Sequence, residues 1–313
     1  MTHYDTVGGS GNYFRPLAKE LEKENISVFA YSLPSKAPKG RVYSDVTDIV
    51  NQLFESILLN EDIKKVPVVF LGHSLGGICA FELSRKLEGT LNLKALILSA
   101  VRNPILLTSF NQDSNIVKIH CANDKDFIAY FKSIGGLPDG MDNDMLQLSM
   151  SWIRDDYKAF ETYQIKEFSK VSCPLFAMGG RSDPSVLPTT LDGWFDFSHN
   201  HLFDVSNEAT IFSGSHFYLT EDSGKNLFKE KLISICKTDF MPRINNTLEC
   251  LEKIHISEES SSHYCIAKND GSAFLTDIDA DEHKCVSIEE TSHLRRDRDT
   301  CYSFIEKKVF QPV

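Results

Sequence analysis

VPVVFLGHSLGG, residues 66–77, joins an apolar, β-branched run to Gly-x-Ser-x-Gly, and a helical pattern follows at once. Val68, Val69, Phe70 and Leu71 suit a strand buried on both faces of a parallel sheet. Ile78, Phe81, Leu83 and Leu87 then recur at helical spacing, with Glu82, Arg85 and Lys86 on the opposite face. Strand, turn and helix in that order describe a nucleophile elbow, a strained turn that lifts a serine hydroxyl to where a base can reach it. Ser74 is the candidate nucleophile. Gly72 and Gly76 flank it because a side chain at either position would meet neighbouring backbone. His73, next to a serine that already fills the reactive position, is expected to be structural or to line the rim. A match to five residues with three fixed positions is a common accident, and the flanking strand and helix are what give it weight.

The chain has 313 residues, 42% of them hydrophobic, enough for one large core with length left over. It contains no apolar run long enough to cross a bilayer, and its start, MTHYDTVGGSG, lacks the basic and apolar segments of an export signal. A cytoplasmic monomer without a membrane partner is therefore expected. Eight cysteines, scattered without a short repeated spacing, suit reduced thiols better than a disulfide framework. The formal charge of -11 argues against nucleic acid as a partner, since phosphates demand clustered Lys and Arg. A small anionic partner stays open. Lys36, Lys39 and Arg41 are concentrated in the loop PSKAPKGR, which is either a solvated loop or a contact for such a group.

Alternating strand-like and helix-like segments predict a mostly parallel sheet covered by helices on both faces. Strands are expected at Ile26–Tyr31, Lys94–Ser99, Pro174–Met178 and Ala209–Phe212 besides the elbow strand, with helices at Tyr13–Lys23 and Asp45–Leu59. Over residues 104–166 the alternation stops and only helical patterns appear. Phe127, Tyr130 and Phe131 share one side of a first helix; Met145, Leu148, Trp152, Tyr157 and Phe160 mark a second. Helices inserted after a sheet strand make a natural lid, and Phe127, Tyr130, Phe131, Met145, Leu148 and Trp152 are candidates to line a substrate channel beneath it. The stripe is equally readable as ordinary core. Residues 1–238 thus form one domain, and 239–313 a C-terminal extension of weaker pattern, with polar runs such as SEESSSH. There His263-x-Cys265 and His283-x-Cys285 have the spacing of a zinc site, but no CxxC supports one, and no metal or other cofactor is expected.

A serine nucleophile needs a histidine to take its proton and an acid to orient that histidine. In an α/β-hydrolase these follow in the order Ser, Asp or Glu, His, on loops after later strands. Asp183 lies in GGRSDP after the strand that starts at Pro174, and His216 in SGSH after the strand that starts at Ala209. Asp192 and Asp196 are the alternative acids; His199 and His201, in a polar loop before the last strand, are the rival bases. The oxyanion hole needs two backbone N–H groups. Leu75 supplies one at the helix start. The other is expected from the glycine loop, at Val7 or Gly8.

Six stretches in order, GGSGNYFRPLAKEL (8–21), GHSLGG (72–77), LSAVRNP (98–104), SWIRDDYKAFETY (151–163), GGRSDP (179–184) and SGSHFYL (213–219), give the chain a family resemblance over about residues 7–235. It resembles type II thioesterases, the free-standing enzymes of nonribosomal peptide, polyketide and fatty-acid synthases. The resemblance implies a serine–aspartate–histidine triad at Ser74, Asp183 and His216. It also implies hydrolysis of acyl thioesters on the phosphopantetheine arm of an acyl or peptidyl carrier protein, with Lys36, Lys39 and Arg41 placed to meet that arm or carrier. Two departures stand out: only Met1–Thr6 precede the glycine loop where the family has a full strand, and the C-terminal extension is extra. A general carboxylesterase or lipase, and a hydrolase-like binding protein with an impaired site, are the alternatives.

Overall fold

The structure, a computed structural model, describes residues 2–4, 14–31, 43–136, 143–203 and 205–240, with three further short strands at 263–267, 273–277 and 286–287. The chain forms two compact units, Met1–Met241 and Pro242–Val313.

The larger unit is built on six parallel strands: β1 (Thr2–Tyr4), β2 (Phe29–Tyr31), β3 (Val68–His73), β4 (Leu93–Ser99), β5 (Leu175–Gly180) and β6 (Thr210–Phe212). Their order in the sheet is β2-β1-β3-β4-β5-β6. Period-two alternation sends Val68 and Phe70 to one face and Val69 and Leu71 to the other, and all four are buried. The first face packs on α2 (Val46–Leu58) and α3 (Leu75–Lys86) through Ile49, Leu53, Ile78 and Phe81. The second packs on α1 (Arg15–Glu22) and α7 (Lys225–Lys237) through Leu21, Phe228 and Leu232. An alternating strand cannot leave either face in water, so both layers of helices follow from the pattern.

The short stretch before the glycine loop does supply a strand. Thr2–Tyr4 pairs with β2 on one side and β3 on the other, so the strand order reverses between β1 and β3. Ligands of open α/β sheets bind at the carboxyl edge beside such a reversal. The second strand begins at Phe29 instead of Ile26. Ile26 N–H donates to Leu21 O across a turn in which Asn25 has φ 60°, so it still belongs to the end of α1.

The insertion after β4 carries α4 (Pro104–Gln112), α5 (Asp124–Ser133) and α6 (Asn143–Glu161). Asn103 and Asn123 cap the first two by accepting from Leu106 N–H and Asp126 N–H. The buried Glu161 carboxylate ties α6 to the short turn Ile119–Cys121, accepting from Ile119 N–H (2.8 Å) and His120 N–H (2.9 Å) and pairing with His120 Nδ1 (2.6 Å). Arg154 adds bonds to the carbonyls of His120 and Ala122 and an ion pair with Asp124. The insertion is therefore latched to itself by polar contacts and anchored by its aromatic side chains in the first core face.

In the second unit β7 (His263–Ala267), β8 (Ala273–Asp277) and β9 (Val286–Ser287) form an antiparallel sheet. His283 and Cys285 lie outside the described residues. No helix among the described residues is long and apolar enough to cross a membrane.

Candidate active site

Ser74 sits between β3 and α3 with φ 54° and ψ -124°, a backbone state that non-glycine residues adopt only under constraint. Two hydrogen bonds supply that constraint: its N–H donates to Ser99 O (2.9 Å), and its carbonyl accepts from Gly77 N–H (2.8 Å). Gly72 is obligatory, since a Cβ there would stand 2.2 Å from Gly76 O. The Ser74 side chain makes no capping bond to the start of α3. Leu75 is the first residue of α3, so its N–H is one of the helix's free terminal donors, directly beside the serine.

Asp183 and His216 come from loops after β5 and β6, and the structure brings them together. His216 Nδ1 is 2.7 Å from Asp183 Oδ2, and both residues are buried. The other carboxylate oxygen, Oδ1, accepts from Ser185 N–H, Ser185 Oγ–H and Val186 N–H at 2.7, 2.7 and 3.1 Å. Burial alone would raise the Asp183 carboxyl's pKa. The hydrogen bond and charge of His216, with the bonds from Ser185, outweigh it and hold the group below its ordinary range. An ionised carboxylate only accepts, so Nδ1 of His216 carries the proton and Nε2 presents its lone pair. The His216 ring packs against that of His73, the residue before Ser74, with centroids 5.0 Å apart. The loops meet because β5 ends in glycine: a Cβ on Gly180 would lie 2.0 Å from Ser215 O.

The rival acid Asp192 is engaged elsewhere, accepting from Ala209 N–H, and the rings of His199 and His201 meet edge-on with centroids 5.7 Å apart. His73 is fully buried, so it does not line the rim. Val7, Gly8, Lys36, Lys39 and Arg41 lie outside the described residues. Met145 and Leu148 fall in the first turns of α6, where only the backbone is described. Phe127 and Phe131 are buried, pack at a tilt on each other and edge-on against Tyr157, and join the core on the first sheet face. Tyr130 is half-buried, with its hydroxyl 3.3 Å from that of Tyr157, while Trp152 is 40% exposed.

The sequence reading missed Ser185 and Arg102. Ser185 stands two residues after Asp183, the spacing at which an aspartate caps its own turn, and that signal was legible. Arg102, half-buried after β4, lies 4.3 Å over the Phe110 ring, and its charge acts on Tyr130 and Asp183. A groove of about 390 Å³ opens elsewhere, between α2, α3 and residues 163–169. Its Arg85 and Glu82 pair with each other and Lys86 bonds Asn51, so their charges are already engaged.

Residues 4–240 match the family model described as a thioesterase domain. The chain is 26% identical to gramicidin S biosynthesis protein GrsT of Aneurinibacillus migulanus over 226 residues, which are 69% of this chain and 80% of that protein. It is 28% identical to thioesterase PikA5 of Streptomyces venezuelae over 221 residues, 69% of this chain and 73% of the relative. Among solved structures it is similar to the type II thioesterase BorB from the borrelidin biosynthetic cluster: TM-score 0.62, 27% identity, 75% of this chain and 91% of the other.

Proposed function

The chain belongs to the thioesterase domain family, and from that premise we propose that it hydrolyses acyl thioesters through an acyl-Ser74 intermediate, the acyl group arriving on the phosphopantetheine arm of a carrier protein. The observation that carries this reading is the hydrogen bond between His216 and a buried, ionised Asp183, with the ring packed beside the elbow that presents Ser74. His216 Nε2 takes the serine proton as Ser74 Oγ attacks the thioester carbonyl. Asp183 fixes the tautomer and stabilises the imidazolium. The negative charge that develops on the carbonyl oxygen is met by Leu75 N–H and by a second amide, which we assign to the glycine loop at Val7 or Gly8. His216 returns its proton to the leaving thiol, then takes one from a water that attacks the acyl-Ser74 carbonyl, and gives that proton to Ser74 Oγ as its bond to the acyl carbon breaks and the acid leaves.

The names of GrsT, a gramicidin S biosynthesis protein, and of BorB, a type II thioesterase from the borrelidin biosynthetic cluster, support a biosynthetic setting for this activity. Purified protein is tested on an acyl-carrier thioester and on the oxygen ester of the same acyl group. Preference for the thioester, lost in Ser74→Ala together with labelling by a fluorophosphonate, is expected. Equal cleavage of both esters would instead make the protein a general carboxylesterase, and absence of labelling would rule out a serine hydrolase.

A further inference from the structure

Ser99, Tyr218 and His73 form a chain of hydrogen bonds beneath the elbow, and all three are fully buried. Ser99 Oγ lies 2.7 Å from Tyr218 OH and 2.9 Å from His73 Nδ1. The backbone carbonyl of the same serine accepts the N–H of Ser74. Tyr218 belongs to the turn that carries His216, two residues on, and its N–H donates to Ser215 O. Its ring is clamped between the stacked ring of Phe212 and the edge of Phe228. One residue at the end of β4 therefore holds both the nucleophile's backbone and the base's turn.

Counting protons fixes the first link of the chain. Among the described residues, Tyr218 OH bonds only to Ser99 Oγ. Burial pushes the phenol's pKa above its ordinary value, so it keeps its proton, and with Tyr218 fully buried that proton goes to Ser99 Oγ. Ser99 Oγ shares a second hydrogen bond with His73 Nδ1, whose direction the His73 tautomer sets. That bond fixes the His73 ring, 5.0 Å from the ring of His216, and so gives the His216 ring a held neighbour.

We infer that Ser99 and Tyr218 are positioning residues: through the chain to His73 they hold the His216 turn in register with Ser74. The inference rests on Ser74 and His216 being the nucleophile and base. It is tested with Tyr218→Phe, Ser99→Ala and the double variant, by the rate at which a small fluorophosphonate labels Ser74. The maximal labelling rate should fall about tenfold in each single variant while the half-saturating concentration stays within about twofold, because alignment is lost and binding is not. The double variant should be no slower than the slower single one, since both substitutions break the same chain. Wild-type maximal rates in the single variants, whatever their melting temperatures, would overturn the inference, as would losses that multiply in the double variant. Tyr218→Phe removes one oxygen and decides the matter alone should Ser99→Ala not fold. Wild-type protein that labels but cleaves no thioester removes the proposed substrate and leaves this inference standing.

Discussion

Asp183 Oδ2 and His216 Nδ1 lie 2.7 Å apart although 33 residues separate them, because β5 and β6 are neighbours and both end at the same edge of the sheet. Ser185 closes the arrangement, donating its hydroxyl to the other carboxylate oxygen while lying 3.0 Å from the same ring nitrogen. The acid is thus oriented by its own turn before it orients the histidine.

Asp183→Asn should leave the fold intact and lower kcat by about 10⁴-fold, with a far smaller change in KM, since an amide nitrogen turned toward His216 favours the wrong tautomer. Steady-state kinetics on a small acyl thioester checks this. A loss of less than about tenfold would remove Asp183 from the relay.

The lowered pKa of Asp183 has a signed consequence for stability. A carboxyl whose folded pKa lies under its ordinary value of 3.8 favours the fold above that value and loses the contribution as pH falls through the folded pKa. The difference in urea-unfolding stability between wild type and Asp183→Asn should therefore narrow between about pH 6 and about pH 3. A difference independent of pH would count against an ionised Asp183.

Gly180→Ala places a methyl carbon 2.0 Å from Ser215 O and 2.8 Å from Gly214 O, and both are backbone atoms that cannot swing aside. The loop carrying His216 must move. A loss of more than about 2 kcal/mol in chemical denaturation is expected, accompanied by slower labelling of Ser74.

Of the two tryptophans, Trp194 is fully buried with Nε1–H donating to Val101 O at 2.7 Å, and Trp152 is 40% exposed. Iodide should quench the fluorescence of Trp194→Phe strongly and that of Trp152→Phe weakly. Trp194→Phe should also cost about 1–3 kcal/mol, because it leaves a buried carbonyl unbonded.

Reversing the charges of Lys36, Lys39 and Arg41 together should raise KM for a carrier-bound thioester and spare a small acyl thioester, if this basic run meets the arm's phosphate or an acidic carrier. Equal effects on both substrates would return it to a solvated loop.

Residues 66–87 carried the elbow in their own pattern, because a buried strand, a glycine-flanked serine and an amphipathic helix are local and periodic features. Asp183 and His216 were legible for a related reason: each follows an apolar strand, and a parallel sheet gathers the loops at its carboxyl edge. Thr2–Tyr4 was not legible as a strand. Three residues carry almost no period, and only pairing to β2 and β3 on both sides makes them part of the sheet. Tertiary structure alone decided that Phe127 and Phe131 pack into the core on the first sheet face, that His73 is buried away from the rim, and that Ser99 joins Ser74 to the turn of His216. Periodicity says which side of an element is apolar but not what that side meets, and a hydrogen bond between residues 99 and 218 exists only once the sheet has set its strands side by side.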